Sequence, residues 1–113
     1  MIYSLLVLSS PVSGHGSRTA AEFAQCVLER GHSIRRVFFL DAGTLASSGN
    51  SVFAQDEIDP VRLWVALAEQ HAVELVICIS SALKYGMLDQ AEANRHERPG
   101  PTINPMFAVA GLG

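Results

Sequence analysis

Residues 73–79 read VELVICI, and Ser80, Ser81 and Ala82 follow at once. Only Glu74 interrupts the apolar run. A short continuous run of this kind suits a strand buried on both faces, as in a parallel sheet. Three other segments have the same character: IYSLLVLS at 2–9, IRRVFFL at 34–40 and MFAVA at 106–110. Helical patterns separate them. Over 17–30, Ala20, Phe23, Ala24, Val27 and Leu28 recur at the spacing of an amphipathic helix, with Ser17 as N-cap and Gly31 as stop. Over 60–71, Asp59 caps and Pro60 takes the first helical position, while Val61, Trp64, Leu67, Ala68 and His71 line one face. A shorter helix is expected over 81–85, ending at Gly86. The stretch 87–104 is polar and broken by Pro99, Gly100 and Pro101, so it reads as a loop with room for a short helix over 88–95.

The order βαβαβα(β) calls for right-handed crossovers and a parallel sheet with helices on both faces. The expected fold is α/β, a flavodoxin-like three-layer sandwich. No repeat, linker or low-complexity tract divides the chain, so 1–113 is expected to be a single domain. The last predicted strand is followed only by Gly111, Leu112 and Gly113. A further helix and strand would be expected there. Either they are missing from this sequence or a partner covers the bare surface, and the first reading is preferred.

Composition narrows the function. The chain has 113 residues, with 8 Lys+Arg, 11 Asp+Glu and a formal net charge of −3. Nucleic-acid-binding domains carry a clustered basic surplus, and here the only adjacent basic pair is Arg35–Arg36. No apolar run approaches the roughly 20 residues of a membrane span. Residues 2–8 lack the basic flank and cleavage site of a secretion signal, so the expected location is the cytoplasm. The 2 cysteines do not make a disulfide framework, and Ser81 stands where a C-x-x-C partner of Cys78 would be. The 4 histidines, at 15, 32, 71 and 96, show no helical metal spacing. No metal site is expected.

In parallel sheets, reactive groups gather at the carboxyl ends of the strands. Cys78 is the sharpest candidate, at the end of the third predicted strand and just before a helix. Free N–H groups there favour thiolate over thiol, and thiolate is the form that attacks sulfur. Small neighbours would leave the sulfur approachable, and Lys84, about one turn on, could add positive charge. A buried packing role for Cys78 is the alternative on position alone. Cys26, mid-helix, is read as packing. The turn at 10–16, SPVSGHG, could cradle a phosphate, but it matches neither G-x-x-x-x-G-K-[ST] nor G-x-G-x-x-G. His15 within it reads as an exposed loop histidine. Asp56, Glu57 and Asp59 read as a solvated helix start, and 92–98 as a solvated surface. The connection 41–59, rich in Gly, Ser and Asn, is long enough to be functional or mobile. Trp64 and Phe23 are read as core.

The chain resembles the sulfur-relay proteins of the TusD/DsrE family. The resemblance lies in IYSLLVLSSPVSGHGSRTAAEFAQCVLERGH, in VFFLDAG, in DEIDPVRLWVALAEQHAVELVICISSALKYGMLD and in the ending FAVAGLG, and so spans nearly the whole chain. Its most specific part is D-E-I-D-x-V-R-x-W followed by V-I-C-I-S-S-A-L-x-x-G. The resemblance implies a flavodoxin-like fold and a persulfide carried on the cysteine matching Cys78. It implies TusB-like and TusC-like partner subunits in a heterohexamer with two copies of each. It also implies a TusA-like sulfur donor and a TusE/DsrC-like acceptor. The end use implied is 2-thiouridine synthesis at tRNA wobble positions, or sulfur oxidation for DsrE-type relatives. No metal, flavin or nucleotide cofactor is needed for this chemistry, and no direct contact with nucleic acid or membrane. Relatives are expected to continue past Gly113 with a helix and a last strand, whose absence would leave a sheet edge exposed. Two rivals stand beside this reading: a non-catalytic subunit of the same fold, and a flavin or nucleotide binder using the turn at 10–16.

Overall fold

The computed structural model describes residues 1–111. Leu112 and Gly113, which close the FAVAGLG ending, lie outside the described residues. The order is β1 (Ile2–Val7), α1 (Gly16–Glu29), β2 (Ser33–Phe39), a 3-10 helix (Asp41–Ser47), α2 (Pro60–His71), β3 (Glu74–Cys78), α3 (Ile79–Lys84), α4 (Gln90–Arg95) and β4 (Phe107–Ala110). The four strands form one parallel sheet in the order β1-β2-β3-β4. The α/β class, the parallel sheet and the flanking helices agree with the sequence pattern.

Every step across this sheet goes the same way. Right-handed crossovers then place successive helices on one face, where α1 and α2 pack together. Strand alternation sends Val7, Val37, Phe39, Leu75, Ile77 and Phe107 into a single core with the buried faces of both helices. Trp64 fills its centre at 0% exposure. Its ring meets Phe39 edge-on at 5.3 Å, and its Nε1–H donates to Ser17 Oγ at 3.1 Å. A buried indole needs such a partner for its one donor.

Sequential order puts β1 at an edge, unlike the central first strand of flavodoxin itself. The expectation that β1 is buried on both faces therefore fails. Among the described residues the face opposite α1 and α2 is open at β1, where Ile2 is 73% and Leu6 57% exposed. Three smaller expectations also change. Helix α1 begins at Gly16 with His15 as its uncapped N-terminal neighbour, so Ser17 is an acceptor for Trp64 rather than an N-cap. Phe23 is 45% exposed and leans edge-on against Tyr3 instead of entering the core. His71 is exposed at the end of α2.

Other local signals act as read. Asp59 Oδ1 accepts from the N–H groups of Val61 and Arg62, with Pro60 at the start of α2. Gly31 ends α1 at φ +86, a conformation that favours glycine. Gly43 lies so close to β1 that a Cβ there would strike the Val7 carbonyl oxygen. The segment read as loop over 87–104 is stitched down rather than loose. Thr102 N–H donates to Leu88 O and Leu88 N–H to Thr102 Oγ1, each at 2.9 Å. Thr102 Oγ1 also donates to Gly86 O. Asn104 N–H donates to Ser47 O at 2.7 Å.

Candidate functional site

Cys78 is the last residue of β3 and the N-cap of α3, where φ −69 and ψ 124 turn the extended strand into the helix. Alternation along β3 sends Leu75 and Ile77 into the core beside α1 and α2, and Val76 and Cys78 to the opposite side. The sulfur is covered there, and Cys78 is 2% exposed. This corrects the expectation that small neighbours leave it approachable. Burial in the packing sense and a reactive environment coincide at the one residue.

Its surroundings are polar. Ser80 Oγ lies 3.3 Å from Cys78 Sγ. Cys78 makes no side-chain cap hydrogen bond on α3; the amides and hydroxyls of Ser80 and Ser81 favour a negative sulfur. Burial is the largest single influence and raises the thiol pKa. The four contacts from Ser80 and Ser81 act the other way and together outweigh it, so the net shift is below the ordinary thiol value. Helix α3 has only 6 residues, so its dipole adds little beside these direct donors. Lys84 is exposed and is not among the groups that shift Cys78.

Ser81 makes a second connection. It is 8% exposed, and its Oγ accepts the main-chain N–H of Asp41 at 3.0 Å. Asp41 stands two residues past the end of β2 at φ +52, where the chain turns into the 3-10 helix. Two corners, one after β2 and one after β3, thus meet beside the sulfur. From the sequence Ser80 and Ser81 read only as small residues, and Asp41 carries no role. The spacing Cys-x-Ser-Ser was a usable signal for the serines, because residues two and three after an N-cap face its side chain.

The remaining candidates are not brought to Cys78. Cys26 is exposed on α1. The turn at 10–16 and the segment after Ser51 border a hollow of about 410 Å³ lined by His15 and Arg18 but also by Asp56 and Glu57. Two carboxylates make it a poor cradle for phosphate. Residues 92–98 are not uniformly solvated. Glu92 is 5% exposed and paired with Arg95 at 3.0 Å, and His96 Nε2 lies 3.3 Å from its other oxygen. No three His, Cys, Asp or Glu side chains gather as a metal site among the described residues. No helix of the described residues is long and apolar enough to cross a membrane.

Comparison with known proteins shows the family. The DsrE/DsrF-like family model matches residues 1–112. The chain is 37% identical over 113 residues to a protein from Aliivibrio fischeri named sulfurtransferase TusD homolog, covering 100% of this chain and 87% of the relative. It is 39% identical to sulfurtransferase TusD of Serratia proteamaculans, covering 100% and 88%. It is 35% identical to the putative sulfurtransferase DsrE of Allochromatium vinosum, covering 100% and 87%. Among solved structures, the YchN protein of E. coli superposes with a TM-score of 0.76 at 12% identity, covering 98% of this chain and 84% of that one, a likeness of fold. On a family match over nearly its whole length and relatives above one-third identity, the chain belongs to the DsrE/DsrF-like family and is classed with its sulfurtransferases.

Proposed function

We propose that this chain is a single-domain sulfur-relay subunit that carries sulfur as a persulfide on Cys78. The observation that supports this most directly is a cysteine at the carboxyl end of β3 whose hydrogen-bonding neighbours favour the thiolate, in a chain related to sulfurtransferases. The Cys78 thiolate attacks the outer sulfur of a donor persulfide, R–S–SH. The Cys78 Sγ–S bond forms, the donor S–S bond breaks, and R–S⁻ leaves with the electron pair, giving Cys78–S–SH. An acceptor thiolate then attacks that outer sulfur, becomes the persulfide itself and restores the Cys78 thiolate. No net oxidation occurs in either step.

In this reading the donor is TusA-like and the acceptor TusE/DsrC-like. TusB-like and TusC-like subunits complete a cytoplasmic heterohexamer, and the sulfur ends in wobble 2-thiouridine of tRNA. The relative from Allochromatium, named DsrE, supports a second end use, sulfur oxidation, with the same chemistry at Cys78. Mass spectrometry after incubation with a donor persulfide tests the core of the proposal. One added sulfur, about 32 Da and removed by reductant, is expected on Cys78 and not on Cys26. Full sulfur acceptance by Cys78→Ser would sink it. Nucleoside analysis of tRNA from cells lacking the chain separates the end uses, since only the tRNA route predicts loss of 2-thiouridine.

A further inference from the structure

We propose that Ser80 is the catalytic hydroxyl of the sulfur site: it takes the thiol proton from the buried Cys78 sulfur, passes its own to water, and then donates to the thiolate. This rests on reading Cys78 as the sulfur carrier. Among the described residues, Cys78 Sγ makes one side-chain hydrogen bond, with Ser80 Oγ at 3.3 Å. The two partners differ in their surroundings. Cys78 is 2% exposed, whereas Ser80 is exposed. The sulfur has almost no water of its own, but the hydroxyl it touches does. Ser81 is buried, and its Oγ accepts the Asp41 N–H at 3.0 Å, so its oxygen is engaged inside the fold.

A serine hydroxyl can accept one proton while giving up another. In the thiol state the Cys78 S–H donates to Ser80 Oγ. On ionisation the S–H bond breaks and its electron pair stays on sulfur. That proton joins Oγ, and the proton Oγ already carried leaves to water. Ser80 ends neutral, and the proton it has just received points at the thiolate. One proton has moved from sulfur to water, and the nucleophile has a donor already in place. No charged side chain shares this task. The ionisable residues of α3 and of the elements packed against it are Lys84 on α3, Asp41 in the 3-10 helix and Glu74 on β3, and none of them shifts the thiol.

The test uses the intact chain with Cys26→Ser, so that Cys78 is the only thiol. Ser80→Thr and Ser80→Val are compared, because they differ in the hydroxyl but little in shape. The valine methyl group also keeps water out of the space the hydroxyl held. Two quantities are read: the midpoint pH of iodoacetamide alkylation, and the rate of sulfur uptake from glutathione persulfide below that midpoint. Ser80→Val is expected to lie about half a pH unit or more above Ser80→Thr, which is about a threefold loss of thiolate below the midpoint. Sulfur uptake should slow by less, about twofold, because a thiolate of higher pKa is the stronger nucleophile. Ser80→Ala leaves room for water and should raise the midpoint less than Ser80→Val. Equal midpoints in Ser80→Thr and Ser80→Val, or a lower one in Ser80→Val, overturn the assignment. Should Ser80→Val fail to fold, Ser80→Ala is read against the unaltered serine, and an unchanged midpoint there overturns it. A chain that takes up no sulfur but keeps the difference between Ser80→Thr and Ser80→Val refutes the carrier reading, and leaves Ser80 as the group that ionises Cys78.

Discussion

Ser17→Ala tests the packing of the two long helices through one hydrogen bond. Trp64 and Ser17 are 0% and 1% exposed, and the indole N–H has Ser17 Oγ as its partner at 3.1 Å. Water cannot reach the gap left by the hydroxyl. An unpaired buried donor costs about 1–3 kcal/mol. Alanine is the better helix former by up to about 0.5 kcal/mol, which offsets part of this. The expected net loss is about 1.5 kcal/mol, or a fall in Tm of about 6 °C for a domain of this size. Urea unfolding at constant slope measures it. The decisive arm repeats Ser17→Ala in a Trp64→Phe background, where no indole donor exists. The loss should vanish there, giving a coupling of about 1–2 kcal/mol in the double-mutant cycle. An equal cost for Ser17→Ala in both backgrounds would refute the argument, because the hydroxyl would then matter for some reason other than Trp64.

Three further outcomes are expected. Asp59→Ala removes the acceptor for two N–H groups at the start of α2 and should cost about 0.5–2 kcal/mol in the same unfolding assay. Gly43→Ala should cost about 1–3 kcal/mol or more, because the new methyl group meets main chain of β1 rather than a side chain that can turn away. Stability should also depend on pH through Cys78. Its folded pKa is depressed, so the thiolate contribution is fully present above the unfolded thiol value of about 8.5 and is lost as pH falls through the folded value. The stability of the native chain relative to Cys78→Ser should therefore be greater at pH 9 than at pH 6. A difference that stays flat between those pH values would show that the serines do not hold a thiolate.

What the sequence reveals is mainly what local chemistry decides. Asp59 with Pro60 can hardly be other than a helix start, and Gly31 sits where its positive φ is needed. The four apolar runs became the four strands because short buried strands leave that mark. The failures concern partners distant in sequence. Ser17 looks like a cap until Trp64, 47 residues away, claims its oxygen. Phe23 has core spacing but sits over β1 at the sheet edge, where there is too little cover to bury it. An apolar run cannot say whether its strand will be central or at an edge, so β1 was misplaced. The position of Cys78 at the end of β3 was legible from VELVICI and the residues after it. Its burial was not, because the cover over a strand end comes from segments distant in sequence.

The sequential strand order has a bearing on how the chain is made. Each strand leaves the ribosome after the neighbour it will pair with, so β2 closes on β1 before β3 or β4 exists. At about 5–20 residues per second, the stretch from Phe39 to Cys78 takes roughly 2–8 s to synthesise. For that time β1, α1 and β2 form a two-strand unit, which is marginal in water. Trp64, the centre of the eventual core, is among the residues still to come. The interval is one of exposed apolar surface, and nascent chains halted shortly after Phe39 should bind chaperones more strongly than those halted after β4. Release would then coincide with the arrival of α2, which brings Trp64.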